Sequence, residues 1–298
     1  MGILSLRKFS SLTINSICVC GAGTMGSGIA QVAAQAGYYT ILFDLDAVVL
    51  IKAKASILQG LQRLADKKLI APGDVETIYS RIQFTGDLQS CLADVFIEAI
   101  VEKAEIKIGL FNQLAELNHS ECIFASNTSS LSINVIAEKV KNPDRVIGMH
   151  FFNPAPLMKL VEVVNAKQTS ADATNTICEL ARSMGKTPVV CKDSPGFIVN
   201  RVARPYYIES LRLLEEGHGE MAAIDSLMEA SGFRMGPFRL MDLIGNDINY
   251  AVSCSVYDQL DKPERLRPSP IQEANVQSGK LGRKTGRGYY DYDTPNQV

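Results

Sequence analysis

Short apolar runs rich in β-branched residues alternate with segments of helical length through the first two thirds of the chain. The predicted strands are Ile17–Cys20, Tyr39–Phe43, Val95–Ala99, Cys122–Ala125, Val146–Met149, Leu160–Val164 and Val189–Cys191. Strands separated by helices predict a mostly parallel sheet with helices on both faces. Between Met149 and Val189 only one helix, Ala171–Met184, is predicted, so some of the late strands are expected to be antiparallel.

The pattern changes after Ser194, where strand-like runs stop and apolar residues recur at helical spacing. The first helical segment carries apolar residues from Phe197 to Leu214 and is expected to end at Gly217 and Gly219. Further helices are predicted at Ala222–Ala230 and Leu240–Leu260, and Pro195 suits the first turn of the first helix. The sequence therefore predicts two domains, a Rossmann-type α/β domain over residues 1–192 and an all-α domain over residues 193–298.

Composition narrows the class of partner. The 298 residues carry a formal net charge of -2, which favours neither a nucleic-acid nor a membrane-surface partner. No apolar run approaches the roughly 18–20 residues of a membrane-spanning helix, so a soluble protein is expected. The seven cysteines stand singly, without metal-type or disulfide-framework spacing, which predicts no metal site and a reducing, cytoplasmic setting. Residues 1–13 are interpreted as a short cytoplasmic extension rather than a transit peptide.

A glycine-rich loop follows the first predicted strand and opens a helix. Its residues are Gly21, Ala22, Gly23, Thr24, Met25 and Gly26. In a loop of this kind Gly21 allows the tight turn, Gly23 lets the backbone approach a pyrophosphate, and Gly26 lets the helix pack on the strand. The helix N-terminus offers free N–H groups to the phosphates. Asp44, at the end of the second strand, can bind both ribose hydroxyls and would repel a 2′-phosphate, so the pattern predicts NAD rather than NADP.

His150 is the candidate general base for oxidising a hydroxyl group. It ends a predicted strand and precedes an aromatic pair, whereas His119 and His218 lie in polar turns typical of surface residues. Glu162 lies within a strand so apolar that a buried carboxylate there needs a partner. If the two segments are neighbours, Glu162 can orient the imidazole ring of His150 and raise its basicity. A core histidine bonded to backbone is the alternative.

Two further polar positions belong to the predicted site. The segment 126–130 follows a strand end, where its hydroxyl groups could bind the substrate oxygen or the cofactor, or cap a helix. Asn200 is predicted to lie one turn into the first helix of the second domain, where its side chain could reach a ligand in an interdomain cleft.

Six motifs together resemble the 3-hydroxyacyl-CoA dehydrogenases, in particular the short bacterial 3-hydroxybutyryl-CoA type. They are GAGTMGSGIAQ, SNTSSLSI, HFFNPAPLMKLVEVV, KDSPGFIVNRV, MGPF and GRKTGRGYYDY, and the resemblance runs from about Ile14 to Asp293. It implies an N-terminal NAD domain, a helical C-terminal domain used for homodimerisation, and oxidation of an L-3-hydroxyacyl-CoA to the 3-ketoacyl-CoA.

The resemblance also assigns residues. It places the family's catalytic histidine at His150, the carboxylate partner at Glu162, and the substrate-oxygen contacts at Ser129 and Asn200. It implies four further NAD contacts, at Glu102, Lys107, Asn153 and Lys284. By pattern alone Glu102, Lys107 and Lys284 would be interpreted as solvated surface charges.

Coenzyme A is expected on the basic helical stretch Lys52–Lys68. The resemblance puts a coenzyme A phosphate contact at Lys67 and a substrate contact at Ser129. Family members often have serine where this chain has Gly60, so one hydrogen bond of that subsite is in question. An exposed basic helix face without a ligand is the alternative for this stretch.

Two other functions remain open at the level of sequence. A relative that does not use coenzyme A, such as an L-gulonate dehydrogenase or a lambda-crystallin-like protein, would share the scaffold and lack the thioester requirement. A structural or NAD-sensing protein would have no reason to keep His150, Glu162, Ser129 and Asn200 together. The sequence leaves open the length of the acyl chain and whether it ends in a carboxylate.

Overall fold

The computed structural model describes residues 14–292, which form two compact units that meet in the sequence at Asp193 and Ser194. The first unit contains strands and helices in alternation. Its elements are β1 (Ser16–Cys20), α1 (Thr24–Gln35), β2 (Tyr39–Phe43), α2 (Ala47–Asp66), α3 (Asp74–Tyr79), β3 (Ile82–Thr85), β4 (Val95–Glu98), α4 (Ala104–Leu117), β5 (Ile123–Ser126), α5 (Ile133–Ala137), β6 (Val146–Phe151), β7 (Leu160–Asn165), α6 (Ala171–Ser183) and β8 (Thr187–Lys192).

The strands form one sheet in the order β3-β2-β1-β4-β5-β6-β7-β8. All neighbouring strands are parallel except β6 and β7, which are antiparallel. The prediction of a mostly parallel, Rossmann-type sheet with an antiparallel late strand is confirmed. The strand order reverses at β1 and β4, and ligands of such sheets bind beside the carboxyl ends of the strands at that point.

One strand of the sheet has no counterpart in the sequence prediction. β3 lies at the sheet edge and, among residues 14–292, pairs only with β2; of its residues only Ile82 is buried. Gln83 and Thr85 make the segment half polar. A short edge strand needs no continuous apolar run, so hydrophobic pattern does not reveal it.

Aromatic packing fills the centre of the sheet on one side. Phe96 of β4 and Phe124 of β5 are fully buried, and their ring centroids lie 5.5 Å apart at an interplanar angle of 17°. Phe111 of α4 packs against Phe124 with the same 5.5 Å separation. These contacts fix α4 on the two strands whose carboxyl ends carry the polar residues described below.

The second unit is helical, as predicted. Its helices are α7 (Val199–Glu215), α8 (Met221–Ala230), α9 (Pro237–Ile244), α10 (Asn246–Gln259) and α11 (Pro270–Gln277). The prediction of one continuous helix over Leu240–Leu260 is wrong. Gly245, at φ +103°, breaks it into α9 and α10, because this backbone conformation interrupts an α-helix.

The beginning of α7 also differs from the prediction. The helix starts at Val199 rather than near Pro195, since Gly196 (φ +73°) and Phe197 (φ +49°) adopt left-handed conformations incompatible with a helix. Asn200 is therefore the second residue of α7, not a residue one turn inside it. Gly217, at φ +71°, follows the helix end as expected.

No helix between residues 14 and 292 combines the length and the apolar character needed to cross a bilayer.

The aromatic contact at Phe124 yields a stability prediction. Phe124→Ala should lower the free energy of unfolding by about 3–5 kcal/mol, because a fully buried aromatic ring is lost and leaves a cavity. Urea-induced unfolding followed by circular dichroism measures this. Leu92→Ala is the control, since Leu92 is 57% exposed and should change stability by under about 0.5 kcal/mol. Equal effects of the two substitutions would contradict the packing described here.

Candidate active site

The glycine loop fits a dinucleotide. Gly21 has a φ of +99°, and a Cβ atom there would lie 2.6 Å from the Ala99 carbonyl oxygen. A Cβ atom on Gly26 would lie 1.7 Å from the Gly21 carbonyl oxygen, so α1 can approach β1 only with glycine at this position. Beside Gly23 there is open space within 4 Å, and no side chain caps the N-terminus of α1. The loop Gly21–Gly26 thus presents backbone N–H groups to an open surface suited to a pyrophosphate.

Asp44 has a second task besides the expected ribose contact. One carboxylate oxygen accepts a 2.7 Å hydrogen bond from the backbone N–H of Ala22, inside the glycine loop. The other accepts a 2.9 Å bond from the N–H of Asp46. The carboxylate therefore ties the end of β2 to the loop after β1.

His150 and Glu162 are cross-strand partners. The antiparallel register pairs His150 of β6 directly with Glu162 of β7, which places both side chains on one face of the sheet. The Nδ1 atom of His150 lies 2.8 Å from an Oε atom of Glu162. The His150 side chain is only 8% exposed and the Glu162 side chain only 1%, so the carboxylate binds the imidazole ring instead of water. The two segments are therefore neighbours, which is the condition under which Glu162 can orient the His150 ring.

Two contacts hold the end of β6 beside this pair. The ring of Phe152 lies 4.5 Å from the His150 ring, centroid to centroid. The backbone N–H of Phe151 donates a 2.8 Å hydrogen bond to the Oδ1 atom of Asn127. Asn127 follows β5, so it extends the β5–β6 pairing by one bond past the last strand residue. Asn127 belongs to the polar segment 126–130 that the sequence singled out, but this bond was not predicted, because it depends on strand order.

A buried charge network occupies the carboxyl ends of β4 and β5. Lys107 of α4 is 1% exposed, and its Nζ atom lies 2.6 Å from Glu98 and 3.1 Å from Glu102. Ser126 donates to the second oxygen of Glu98 at 2.7 Å, and Glu102 accepts hydrogen bonds from the Thr128 hydroxyl group and other groups of the same loop. The interpretation of Lys107 as a surface charge is wrong, because its ammonium group is buried and contacts two carboxylates instead of water.

The two carboxyl groups of this network respond differently to it. Burial raises the pKa of Glu98 above its ordinary value, although Lys107 and Ser126 both bind it. Burial also tends to raise the pKa of Glu102, but the Lys107 charge and the bond from Thr128 outweigh it and leave that pKa below its ordinary value. The Lys107 charge and the Thr128 bond thus favour the ionised form of Glu102, which accepts hydrogen bonds from the loop that contains Ser129.

Glu98 was missed by the sequence analysis. It lies in the apolar strand 95–98, and the signal that singled out Glu162, a carboxylate within a buried strand, applies to it equally.

The other predicted residues of the first unit lie as follows. The backbone N–H of Ser129 donates to Glu102 at 3.3 Å. Asn153 is exposed and follows the His150 strand by two residues. Lys67 is the exposed C-cap residue of α2. Gly60 faces α1, where a Cβ atom would lie 2.6 Å from the Gln31 side-chain oxygen, so a serine here would have to displace Gln31.

In the second unit, Asn200 stands near the start of α7. The Nζ atom of Lys284 lies 2.6 and 2.7 Å from the two carboxylate oxygens of Asp247. His119 and His218 have side chains 52% and 66% exposed, as expected of surface histidines. Within residues 14–292, no group of three or more His, Cys, Asp or Glu side chains could hold a metal ion.

Comparison with known proteins places the chain in a family. Residues 16–194 match the family model described as "3-hydroxyacyl-CoA dehydrogenase, NAD binding domain", and residues 196–292 match the corresponding "C-terminal domain".

Individual relatives agree. The "3-hydroxyadipyl-CoA dehydrogenase" of Escherichia coli (strain K12) is 46% identical over 94% of this chain, which spans 60% of that protein's length. The "Probable 3-hydroxybutyryl-CoA dehydrogenase" of Deinococcus radiodurans is 43% identical over 92% of this chain and 99% of its own. The crystal structure of the (S)-3-hydroxybutyryl-CoA dehydrogenase of Ralstonia eutropha superposes with a TM-score of 0.90 at 36% identity, covering 95% of this chain and all of that one.

The chain belongs to the 3-hydroxyacyl-CoA dehydrogenase family. Within that family it is an NAD-dependent oxidoreductase, and the open glycine loop described above fits the cofactor.

The Glu98–Lys107 contact predicts a large effect of one substitution. Lys107→Met should lower the free energy of unfolding by about 3–5 kcal/mol, because it leaves the Glu98 carboxylate buried without its cationic partner. Lys103→Met is the matched control, since Lys103 is exposed four residues earlier. Urea denaturation of both variants at neutral pH measures the difference. A Lys107→Met variant as stable as Lys103→Met would show that the ion pair contributes nothing.

Proposed function

We propose that the protein oxidises the 3-hydroxyl group of an L-3-hydroxyacyl-CoA with a short acyl chain, such as 3-hydroxybutyryl-CoA, to the 3-ketoacyl-CoA. His150 acts as the general base and Glu162 stands behind it. The 2.8 Å contact between the buried His150 and Glu162 side chains is the observation that carries the proposal. Bound NAD would accept the hydride from the carbon that bears the hydroxyl group.

The geometry of the pair defines the proton's path. With Nδ1 facing Glu162, the neutral imidazole carries its hydrogen on Nδ1 and leaves Nε2 as the basic atom. Nε2 takes the hydroxyl proton as the substrate is oxidised, and the ring becomes an imidazolium. Glu162, 1% exposed, stabilises that positive charge in a site from which water is largely excluded. In the reverse direction the imidazolium returns the proton to the ketone oxygen.

The substrate oxygen needs hydrogen-bond donors as well as a base. We assign this role to Ser129 and Asn200, following the family resemblance. Glu102, Lys107, Asn153 and Lys284 are assigned to NAD on the same ground. Because Lys107 is almost fully buried between two carboxylates, its part is to hold Glu102 and the loop 126–130 in place beside the cofactor loop.

Coenzyme A is assigned to the exposed basic side of α2. Lys52, Lys67 and Lys68 are exposed along and just after this helix, while Lys54 lies over the Phe84 ring at 5.2 Å. Ammonium groups held on a helix suit the phosphates of coenzyme A. The alternative substrate, a free sugar acid as in the L-gulonate dehydrogenases, has no phosphate groups for these lysines to bind.

We also propose a cytoplasmic homodimer. The seven cysteines are all free thiols, as in a reducing compartment. The second unit exposes large apolar side chains, among them Val202, Leu227 and Phe233, which are 72%, 66% and 50% exposed. Apolar side chains of this size are typical of subunit interfaces. Light scattering in solution gives the oligomeric state directly.

The substrate class is tested first. NADH should be oxidised rapidly with acetoacetyl-CoA and not with free acetoacetate, and NADPH should be a poor substitute. The absorbance of NADH reports all three rates. Oxidation that does not require the thioester would favour the sugar-acid alternative, and NADH binding without turnover of any substrate would favour a non-catalytic protein.

The base is tested by substitution. His150→Gln should lower kcat by about 10²- to 10⁴-fold, the usual contribution of a general base, and leave NADH affinity nearly unchanged. His119→Gln is the control, because His119 is exposed and should be dispensable. Steady-state rates together with NADH fluorescence titration separate the two effects. Undiminished turnover in the His150→Gln variant would contradict the proposed role of His150 as general base.

A further inference from the structure

Helix α2 has two apolar faces, and only one of them packs into the core. The inner face consists of the buried residues Leu50, Ala53, Ile57, Leu61 and Ala65. The outer face carries a second apolar set, the outer stripe, which consists of Val48, Ile51, Ala55 and Leu58. The side chains of Val48, Ile51 and Leu58 are 57%, 65% and 45% exposed. A surface helix ordinarily turns charged or polar side chains outward, so the outer stripe indicates a contact with another apolar surface.

The outer stripe follows a single line along the helix. Its residues recur at intervals of three, four and three residues, which at 3.6 residues per turn confines them to an arc of roughly 80°. The line is about 15 Å long at a rise of about 1.5 Å per residue. Leu45 and Leu69, just beyond the two ends of the helix, are exposed as well. The exposure of these side chains shows that nothing within residues 14–292 covers the stripe, and the function proposed above gives its four residues no part.

Basic side chains border the outer stripe on both sides. By helical geometry Lys52 and Arg63 lie along one edge of the stripe and Lys54 lies along the other, and all three are exposed. Residues 45–69 contain five basic and only two acidic residues, whereas the whole chain has a formal net charge of -2. The charge of the whole chain therefore conceals a positively charged surface around the stripe.

The charge and the kinds of side chain decide which surface fits the outer stripe. A second copy of the chain would bring two positively charged edges together, which disfavours self-association through α2. The centres of protein–protein interfaces are enriched in aromatic residues, methionine and arginine and depleted in lysine, whereas the stripe has only aliphatic side chains bordered mainly by lysines. An anionic bilayer suits both features, because its acyl boundary accepts aliphatic side chains and its headgroups attract lysine and arginine.

We propose that the outer stripe docks on the surface of a lipid bilayer with anionic headgroups. Ile51 and Leu58 enter the boundary between headgroups and acyl chains together with the rest of the stripe, and Lys52, Lys54 and Arg63 bind the lipid phosphates. The attachment is peripheral and reversible, because one stripe of this size buries little apolar area. This inference goes beyond the proposed function and does not depend on it.

The experiment measures how much of the whole protein sediments with vesicles of two compositions. One vesicle contains equal parts of phosphatidylcholine and phosphatidylglycerol, and the other contains phosphatidylcholine alone. At an ionic strength of about 0.1 M, the apparent affinity for the anionic vesicles should be at least about tenfold higher, because only they attract the basic edges of the stripe. At about 1 M, where the Debye length falls to about 3 Å, most of the bound protein should be released.

The apolar part of the stripe is tested by combining Ile51→Ser with Leu58→Ser. This variant should lower the affinity for the anionic vesicles by about tenfold or more, because the two side chains no longer enter the bilayer. The combination of Leu92→Ser with Val135→Ser is the matched control, since both residues are exposed large aliphatic residues outside α2. All four positions are exposed, so both variants should fold, which circular dichroism verifies.

The basic edges are tested separately by combining Lys54→Gln with Arg63→Gln. This variant removes one positive charge from each edge and keeps every apolar side chain of the stripe. It should lower the affinity for the anionic vesicles by about tenfold and leave the weak affinity for phosphatidylcholine unchanged. The combination of Lys139→Gln with Lys141→Gln is the matched control, because these two exposed lysines lie outside α2.

Three results would overturn the inference. The first is equal sedimentation with the two vesicle types, or none with either. The second is vesicle binding by the Ile51→Ser, Leu58→Ser variant that equals that of its control. The third is an oligomer of the unsubstituted protein that this variant loses while vesicle binding is absent, since a second copy would then cover the stripe. Each of these results leaves the proposed function intact, because the vesicle assay contains neither substrate nor cofactor.

Discussion

The register between β6 and β7 is the constraint on which the candidate site depends. Side chains alternate between the two faces of a strand, so a slip of one residue would carry Glu162 to the face opposite His150. Both residues would then be buried with no partner, which costs far more than a misplaced surface pair. Val161 and Val163, which flank Glu162 and point to the opposite face, belong to the main hydrophobic core, so correct packing and correct pairing select the same register. Folding and the assembly of the pair are thus one event.

The first unit places several ionisable groups where the sheet ends and keeps them out of water. Glu98 and Lys107 are almost completely buried, yet each has a charged or hydroxyl partner within hydrogen-bond distance. The second unit treats Asp225 and Asp242 similarly, with backbone amides as donors. Arg204 of α7, 3% exposed, stands apart, because the Asn249 carbonyl oxygen and the Ser253 hydroxyl oxygen that accept its hydrogen bonds are neutral. A closed, satisfied network of this kind rigidifies a fold.

The strands of the central sheet could be predicted because residues buried on both faces give continuous apolar runs, as in Val95–Glu98 and Ile123–Ser126. The glycine loop, the acid after β2 and the candidate base could likewise be predicted from the sequence, because each needs a specific residue type at a strand end. The edge strand β3 was not, because half of it faces solvent. The break at Gly245 was missed because a single glycine amid helix-forming residues does not reveal its φ angle. The burial of Lys107 could not be foreseen either, because its partners Glu98 and Glu102 meet it only through the packing of α4 on β4 and β5.

Asp44 constrains how this protein could be engineered. It is the first residue that a designer would replace to exchange NAD for NADP, since an acid at the end of β2 disfavours a 2′-phosphate. Its carboxylate also accepts the Ala22 N–H, so removing it would release the glycine loop, which we assign to the pyrophosphate. Cofactor exchange would therefore come with weaker binding of either dinucleotide unless a new acceptor for that N–H were installed. The next residue, Leu45, is 84% exposed, so a positive charge can be added there while the bond from Ala22 to Asp44 is kept.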